Sequence, residues 1–117
     1  MSHMVLGEED KHFTQMRRGA LEFCVMALLR NGDRYGFDVT RLLSENPGLA
    51  TSEGTIYPLL ARLRSDGLVT TYWEESPEGP PRRYYHLTEG GSIALDTFTL
   101  QWNVFSNSVN KLLKEGS

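Results

Sequence analysis

Read from the amino end, the chain is polar up to Gln15 and then becomes periodic. From Met16 to Arg30, Leu21, Val25, Leu28 and Leu29 recur at helical spacing, with Cys24 and Met26 beside them. Asn31-Gly32 stops this helix with residues that tolerate positive φ. A second, short helix opens at Tyr35 or Gly36 and carries Phe37, Val39, Leu42 and Leu43. Asn46-Pro47-Gly48 breaks it, because the Pro47 ring drives Asn46 out of helical torsions. The third helix has the cleanest stripe: Ile56, Leu59, Leu60 and Leu63 fall at i, i+3, i+4 and i+7. Thr51 or Ser52 is placed to cap its start with a side-chain oxygen, and Asp66-Gly67 to end it. Leu68 to Trp73 and Arg82 to Leu87 are rich in β-branched and aromatic residues and flank a Pro- and Gly-rich tip, Ser76 to Pro81. That predicts a two-stranded hairpin. Thr88 caps a last helix, with Glu89 near its positive end, in which Gly90 and Gly91 weaken the first turn.

Three short helices followed by a ribbon predict a mainly α fold with a small β-hairpin, laid out as a winged helix-turn-helix DNA-binding domain. The expected organisation is a tag remnant and flexible arm over residues 1–15, the winged domain over 16–87, and one long dimerisation helix over 88–117. Ser2-His3-Met4 reads as the tag remnant. The last helix carries apolar residues on more than one face between Ile93 and Leu113, more than a small domain can cover. A second copy of the chain is the economical cover, so a homodimer is expected.

Composition narrows the picture. With 117 residues there is room for one domain, and 39% hydrophobic with 23% charged residues is ordinary for a globular chain. No apolar run approaches the roughly 20 residues of a membrane span, and Met1 to Asp10 lacks the apolar core of a signal peptide. A cytoplasmic protein is expected, without a membrane partner. The single Cys24 excludes an intramolecular disulfide and reads as a buried, inert thiol. The net charge of −3 argues against a uniformly basic DNA-coating protein. Nine of the twelve basic residues are nevertheless arginines between the first helix and the hairpin, so folding can gather a local patch. No His or Cys cluster has metal-ligand spacing, and neither a phosphate-binding Gly loop nor a nucleophile motif is present; His3, His12 and His86 are scattered. No enzymatic activity, metal or cofactor is expected.

A winged helix-turn-helix puts its third helix in the major groove. Ser52 can donate to a phosphate, helped by the helix start. Glu53 either accepts from a cytosine amine or serves the helix dipole. Thr55 reaches phosphate or base, and Tyr57 either does the same or packs on the second helix. Gly54, Pro58 and Ala61 lie opposite the apolar stripe, where they either offset the helix start or let the backbone approach DNA closely. Arg62 and Arg64 contact phosphate, or else form salt bridges. Arg82 and Arg83 alternate faces on a strand, so at least one faces DNA. Glu74, Glu75 and Glu78 repel phosphate, which leaves only the arginine side of the ribbon to approach. The alternative is a winged-helix module that binds protein partners and no DNA.

Several phrases fall in one family's order and spacing from about Gly19 to Leu113. They are Ala27-Leu28-Leu29 with Tyr35-Gly36, Glu53-Gly54-Thr55-Ile56-Tyr57-Pro58-Leu59-Leu60-Ala61-Arg62-Leu63, Asp66-Gly67-Leu68-Val69, and Arg82-Arg83-Tyr84-Tyr85-His86-Leu87-Thr88-Glu89-Gly90. Through them the chain resembles the PadR family of bacterial transcriptional regulators, in particular its short, LmrR-like members with a single C-terminal helix. The resemblance implies a homodimer that binds double-stranded operator DNA and represses transcription, often released by a small molecule. In multidrug-sensing members a Trp on the last helix stacks on flat aromatic ligands at the dimer interface. Trp102 stands where that residue would be, with Phe98, Phe105 and Val104, and Met16 or Phe13 from the amino end, as walls. Without a ligand, Trp102 is a packing residue. The phenolic-acid sensing of larger members transfers poorly to this short final helix.

Overall fold

The computed structural model describes residues 11–116, so the readings made on Met1 to Asp10 lie outside the described residues. The order is α1 (Lys11–Arg30), β1 (Arg34–Tyr35), α2 (Gly36–Ser44), α3 (Glu53–Ser65), β2 (Val69–Ser76), β3 (Gly79–Leu87) and α4 (Glu89–Glu115). The helical core, hairpin and long last helix are as expected. The helix α1 starts at Lys11 rather than Met16, taking in residues expected to be a loose arm. No Gly or Pro interrupts Lys11 to Gln15, and Arg17 anchors this end by donating to the Ala50 carbonyl at 2.6 Å.

The sheet has three antiparallel strands in the order β1-β3-β2. The two-residue β1 is too short to leave a periodic signal. The hairpin is longer than expected: Ser76 pairs with Gly79 across a two-residue turn, with a bulge between Glu74 and Ser76. Pro80 and Pro81 belong to β3, beyond the Tyr84 and Tyr85 pairing with β1, where that edge asks for no backbone donor.

Leu21, Val25, Met26 and Leu29 of α1 meet Val39 and Leu43 of α2, all four stripe residues of α3, and Val69, Tyr85 and Leu87 of the sheet in one buried core. Cys24 is half-buried against it, and burial pushes its thiol pKa up, which disfavours the reactive thiolate. Ser52 precedes α3 as expected, but its side chain caps no amide; the amides of Thr55 and Ile56 bond to its carbonyl instead. Gly67, at φ 75°, closes α3.

The junction between the sheet and α4 is tight. Thr88 accepts from the Gly91 amide at 3.0 Å and donates to the Gly67 carbonyl at 2.8 Å. Gly91 is buried, and a Cβ there would overlap the Leu68 carbonyl oxygen and the Leu87 side chain. This glycine therefore lets α4 dock, beyond weakening a first turn. Gly91→Ala is expected to lower unfolding free energy by about 1–3 kcal/mol in a urea titration. Gly90→Ala, facing only ordinary contacts, should be neutral or stabilising by up to about 1 kcal/mol.

Candidate nucleic-acid interface

The apolar stripe of α3 is spent on the core: Ile56, Leu60 and Leu63 are fully buried and Leu59 nearly so. At 3.6 residues per turn, Gly54, Pro58, Ala61 and Ser65 therefore share the opposite side, and all four are exposed. This ridge carries no bulky side chain, so an incoming surface can approach the helix backbone. Tyr57 and Arg64 flank the ridge on one side, Thr55 and Arg62 on the other. Ser52 and Glu53 stand exposed at its start. Arg64 makes no ion pair among the described residues, whereas Arg62 lies 3.4 Å from Glu22 of α1.

On the Tyr57 side, the hairpin leans over α3 and encloses a cleft of about 340 Å³ whose lining includes Tyr35, Tyr57, Trp73, Arg82 and Arg83. Tyr57 packs on the second helix, as one of its two readings has it. Its ring lies over Gly36 at the start of α2, where a Cβ would come 2.7 Å from the hydroxyl, yet it is 43% exposed. Partial burial pushes its phenol pKa up, with the Glu53 charge adding to the effect.

The register of the hairpin sorts its charges. Trp73 pairs with Arg83 and Thr71 with Tyr85, so Trp73 and Arg83 share the sheet face that buries Tyr85. Glu74 pairs with Arg82 on the other face. The Arg83 guanidinium lies over the Trp73 ring at 5.9 Å, and its Nε is shielded from solvent with no hydrogen-bond partner among the described residues. Arg82 lies over the Tyr35 ring at 4.7 Å, at the edge of the same cleft. Of the three acidic residues of the ribbon, Glu74 thus faces away from Arg83. Trp73 was not singled out from the sequence, where its signal was a large aromatic at a period-2 position in line with Val69 and Thr71; the fold leaves it 68% exposed.

On the other side of the ridge, α1 and α3 form a groove of about 270 Å³ whose lining includes Thr14, Arg18, Thr55, Pro58 and Arg62. Arg18 was read only as one of nine arginines that folding could gather, and Thr14 only as part of a polar arm, because it is folding that brings α1 alongside α3.

The candidate ligand residues also gather, with two exceptions. Met16, Gly19 and Ala20 of α1 face Phe98, Trp102 and Phe105 of α4 across an open cleft of about 340 Å³. Phe23, Phe98, Trp102 and Phe105 form an aromatic ladder, with successive centroids 3.9, 5.8 and 6.2 Å apart. Phe13, expected on the same wall, is elsewhere. It lies on the Arg17 line of α1, under that guanidinium at 5.5 Å and beside Gly48 in the turn before α3. Val104 lines the next patch along α4 with Leu100 and Phe105.

Behind the hairpin, Asp33 accepts from the Tyr72 hydroxyl at 2.8 Å, and His86 Nδ1 lies 2.8 Å from its other oxygen. Partial burial raises the Asp33 pKa, but the bonds from His86 and Tyr72 and the His86 charge outweigh it and leave the carboxyl below its usual value. The hydrogen bond to Asp33, then slight desolvation and neighbouring charge, push Tyr72 up to about 12. The phenol keeps this bond only while protonated, so its contribution is present below the ordinary tyrosine pKa of about 10 and is lost as pH rises through about 12. The carboxylate's contribution runs the other way, being lost as pH falls through the depressed Asp33 pKa. In an alkaline titration followed by tyrosinate absorbance, Asp33→Asn should return Tyr72 toward about 10, and Tyr72→Phe should remove the last step.

An exposed, side-chain-poor helix between an arginine-bearing wing and a second basic groove defines a winged helix-turn-helix of the nucleic-acid-binding class. Residues 25–97 match the sequence model of the transcriptional regulator PadR-like family, and the chain belongs to that family of transcriptional regulators. It is similar to the crystal structure of a PadR-like transcription factor from Bacteroides fragilis, at 42% identity and a TM-score of 0.72, over 88% of this chain and 99% of that one. It is 32% identical over 81 residues to the transcriptional regulator Rv3488 of Mycobacterium tuberculosis, covering 69% of this chain and 74% of the relative. It is 26% identical over 83 residues to the negative transcriptional regulator PadR of Bacillus subtilis, covering 69% of this chain and 46% of that protein. Among the described residues, no helix is long and apolar enough to cross a membrane.

Proposed function

We propose that the chain is a homodimeric repressor that binds operator DNA through α3 and the wing and is released by a flat aromatic ligand in the Trp102 cleft. The observation that carries the DNA reading is the exposed Gly54–Pro58–Ala61–Ser65 ridge of α3. A helix without bulky outward side chains seats deeply in a major groove, leaving Thr55, Tyr57 and the helix start to reach base edges and phosphates. Arg83 and Trp73 then meet the adjoining backbone from the wing. Repression is supported by the relative named a negative regulator. The test is a gel shift on DNA from upstream of this chain's gene, at two salt concentrations and with excess unrelated DNA. Specific retardation that weakens steeply with salt is the expected result; indifference to sequence and salt would refute it.

The homodimer rests on α4. Phe98, Trp102, Phe105, Val109 and Leu112 alternate spacings of four and three, which is the seam of two packed helices. Phe105 and Leu112 are 62% and 68% exposed in the single chain. The ligand reading rests on the Phe98–Trp102–Phe105 ladder and the flexible Met16 opposite it. With Trp73 replaced by Phe, the remaining indole is Trp102. Planar aromatic cations or phenolics should then quench its fluorescence saturably. A flat titration across both classes would leave Trp102 a packing residue.

A further inference from the structure

We propose that the groove between α1 and α3 is a second seat for the DNA backbone, in which Arg18 and Thr14 of α1 hold phosphate together with Thr55 and Arg62 of α3. The proposal rests on the reading that α3 enters the operator's major groove. A helix there, in a channel about 12 Å wide, has a phosphate strand on each side. The wing cleft, with Arg82 and Arg83, lies on the Tyr57 side of the Gly54–Pro58–Ala61–Ser65 ridge. The groove of about 270 Å³ lies on the Thr55 side, and it offers two guanidinium groups and two hydroxyls above a floor formed by Leu21 and Leu59.

The charges in this groove are unequally committed. Arg18 is exposed and makes no ion pair among the described residues. Arg17, its neighbour, is spent on the Ala50 carbonyl. Arg62 is 3.4 Å from Glu22, an exposed pair that gains little in water and that a phosphate can displace. Phosphate bound here would be held by charge-assisted bonds and would carry no sequence information. Glu22 opposes the same phosphate, so removing its charge should strengthen binding.

The experiment is fluorescence anisotropy on an operator fragment that the wild-type chain retards specifically, across a series of NaCl concentrations. Arg18→Gln should weaken binding about tenfold and lower the log–log salt slope by about one per protomer, equally for operators with altered base pairs. Arg18→Lys should restore most of the slope. Glu22→Gln should tighten binding severalfold, a gain that loss of structural support would not produce. Unchanged affinity and slope in Arg18→Gln, with a wild-type melting temperature, would overturn the second seat while leaving the α3 reading standing. A changed base preference without a changed slope would overturn it too, by making Arg18 a base reader. Failure of the wild-type chain to bind any fragment specifically would instead remove the α3 reading and the second seat together.

Discussion

Ala61→Glu is expected to weaken operator binding at least about 100-fold, since like charges brought together at an interface cost several kcal/mol. Ala61 lies at the middle of the exposed side of α3, opposite Ile56, Leu60 and Leu63, with Pro58 before it and Ser65 after it. A glutamate there carries its charge outward, into the space where a phosphate-lined groove would close around the helix. It touches no core residue, and glutamate forms helix almost as well as alanine. The melting temperature should therefore change little. Anisotropy on the operator and circular dichroism on the same samples separate the two effects. Near-wild-type binding would mean that this face of α3 does not enter DNA.

The second large effect concerns assembly. Phe105→Glu combined with Leu112→Glu places two carboxylates on the exposed seam of α4, one at the rim of the cleft facing α1 and one about two turns farther along. Each apolar side chain buried by a partner contributes about 1.5–3 kcal/mol, and a buried unpaired charge reverses the sign. The double variant should run in light scattering at the 13.3 kDa of one chain, where the proposed wild-type dimer is expected at twice that mass. The buried core of the winged domain includes neither residue, so near-native helicity should persist. Operator affinity should fall with the dimer, because two half-sites are then no longer engaged by one molecule. A dimer that survives both charges would place the interface elsewhere.

Much of this architecture was legible because its signals are local. The α3 stripe, the Asp66-Gly67 stop and the Thr88 cap each lie within a few residues and appear in the structure as expected. The opposite face of α3 followed from the same periodicity, which is why Gly54, Pro58 and Ala61 could be singled out as a group. What escaped the sequence depends on contacts distant along the chain. The strand β1 exists only because Arg34 and Tyr35 find Tyr85 and Tyr84 across the sheet. The bonds of Asp33 to Tyr72 and His86 and the docking role of Gly91 are of the same kind.

Phe13 shows the limit most plainly. Its distance from Met16 is compatible with a shared cleft, but the i, i+4 line through Arg17 and the bond to Ala50 turn it toward the start of α3. The helix α1 thereby lines a cleft on each of two sides. Met16, Gly19 and Ala20 face the Trp102 cleft, while Thr14, Arg18 and Leu21 face α3. Of these six, only Thr14 fell in the stretch read as a loose arm; Met16 was already expected on the Trp102 wall, and the α3 side was not assigned.

The Ala61 face of α3 is expected to lie inside the operator's major groove. Ala61→Cys, made with Cys24→Ala so that one thiol remains, can be coupled to an iron chelate that cleaves nearby DNA. Strand cuts confined to one short cluster in each half-site, on both strands facing a single major groove, are the predicted result. Cuts no stronger than those of the untethered reagent, with the operator still bound, would contradict it.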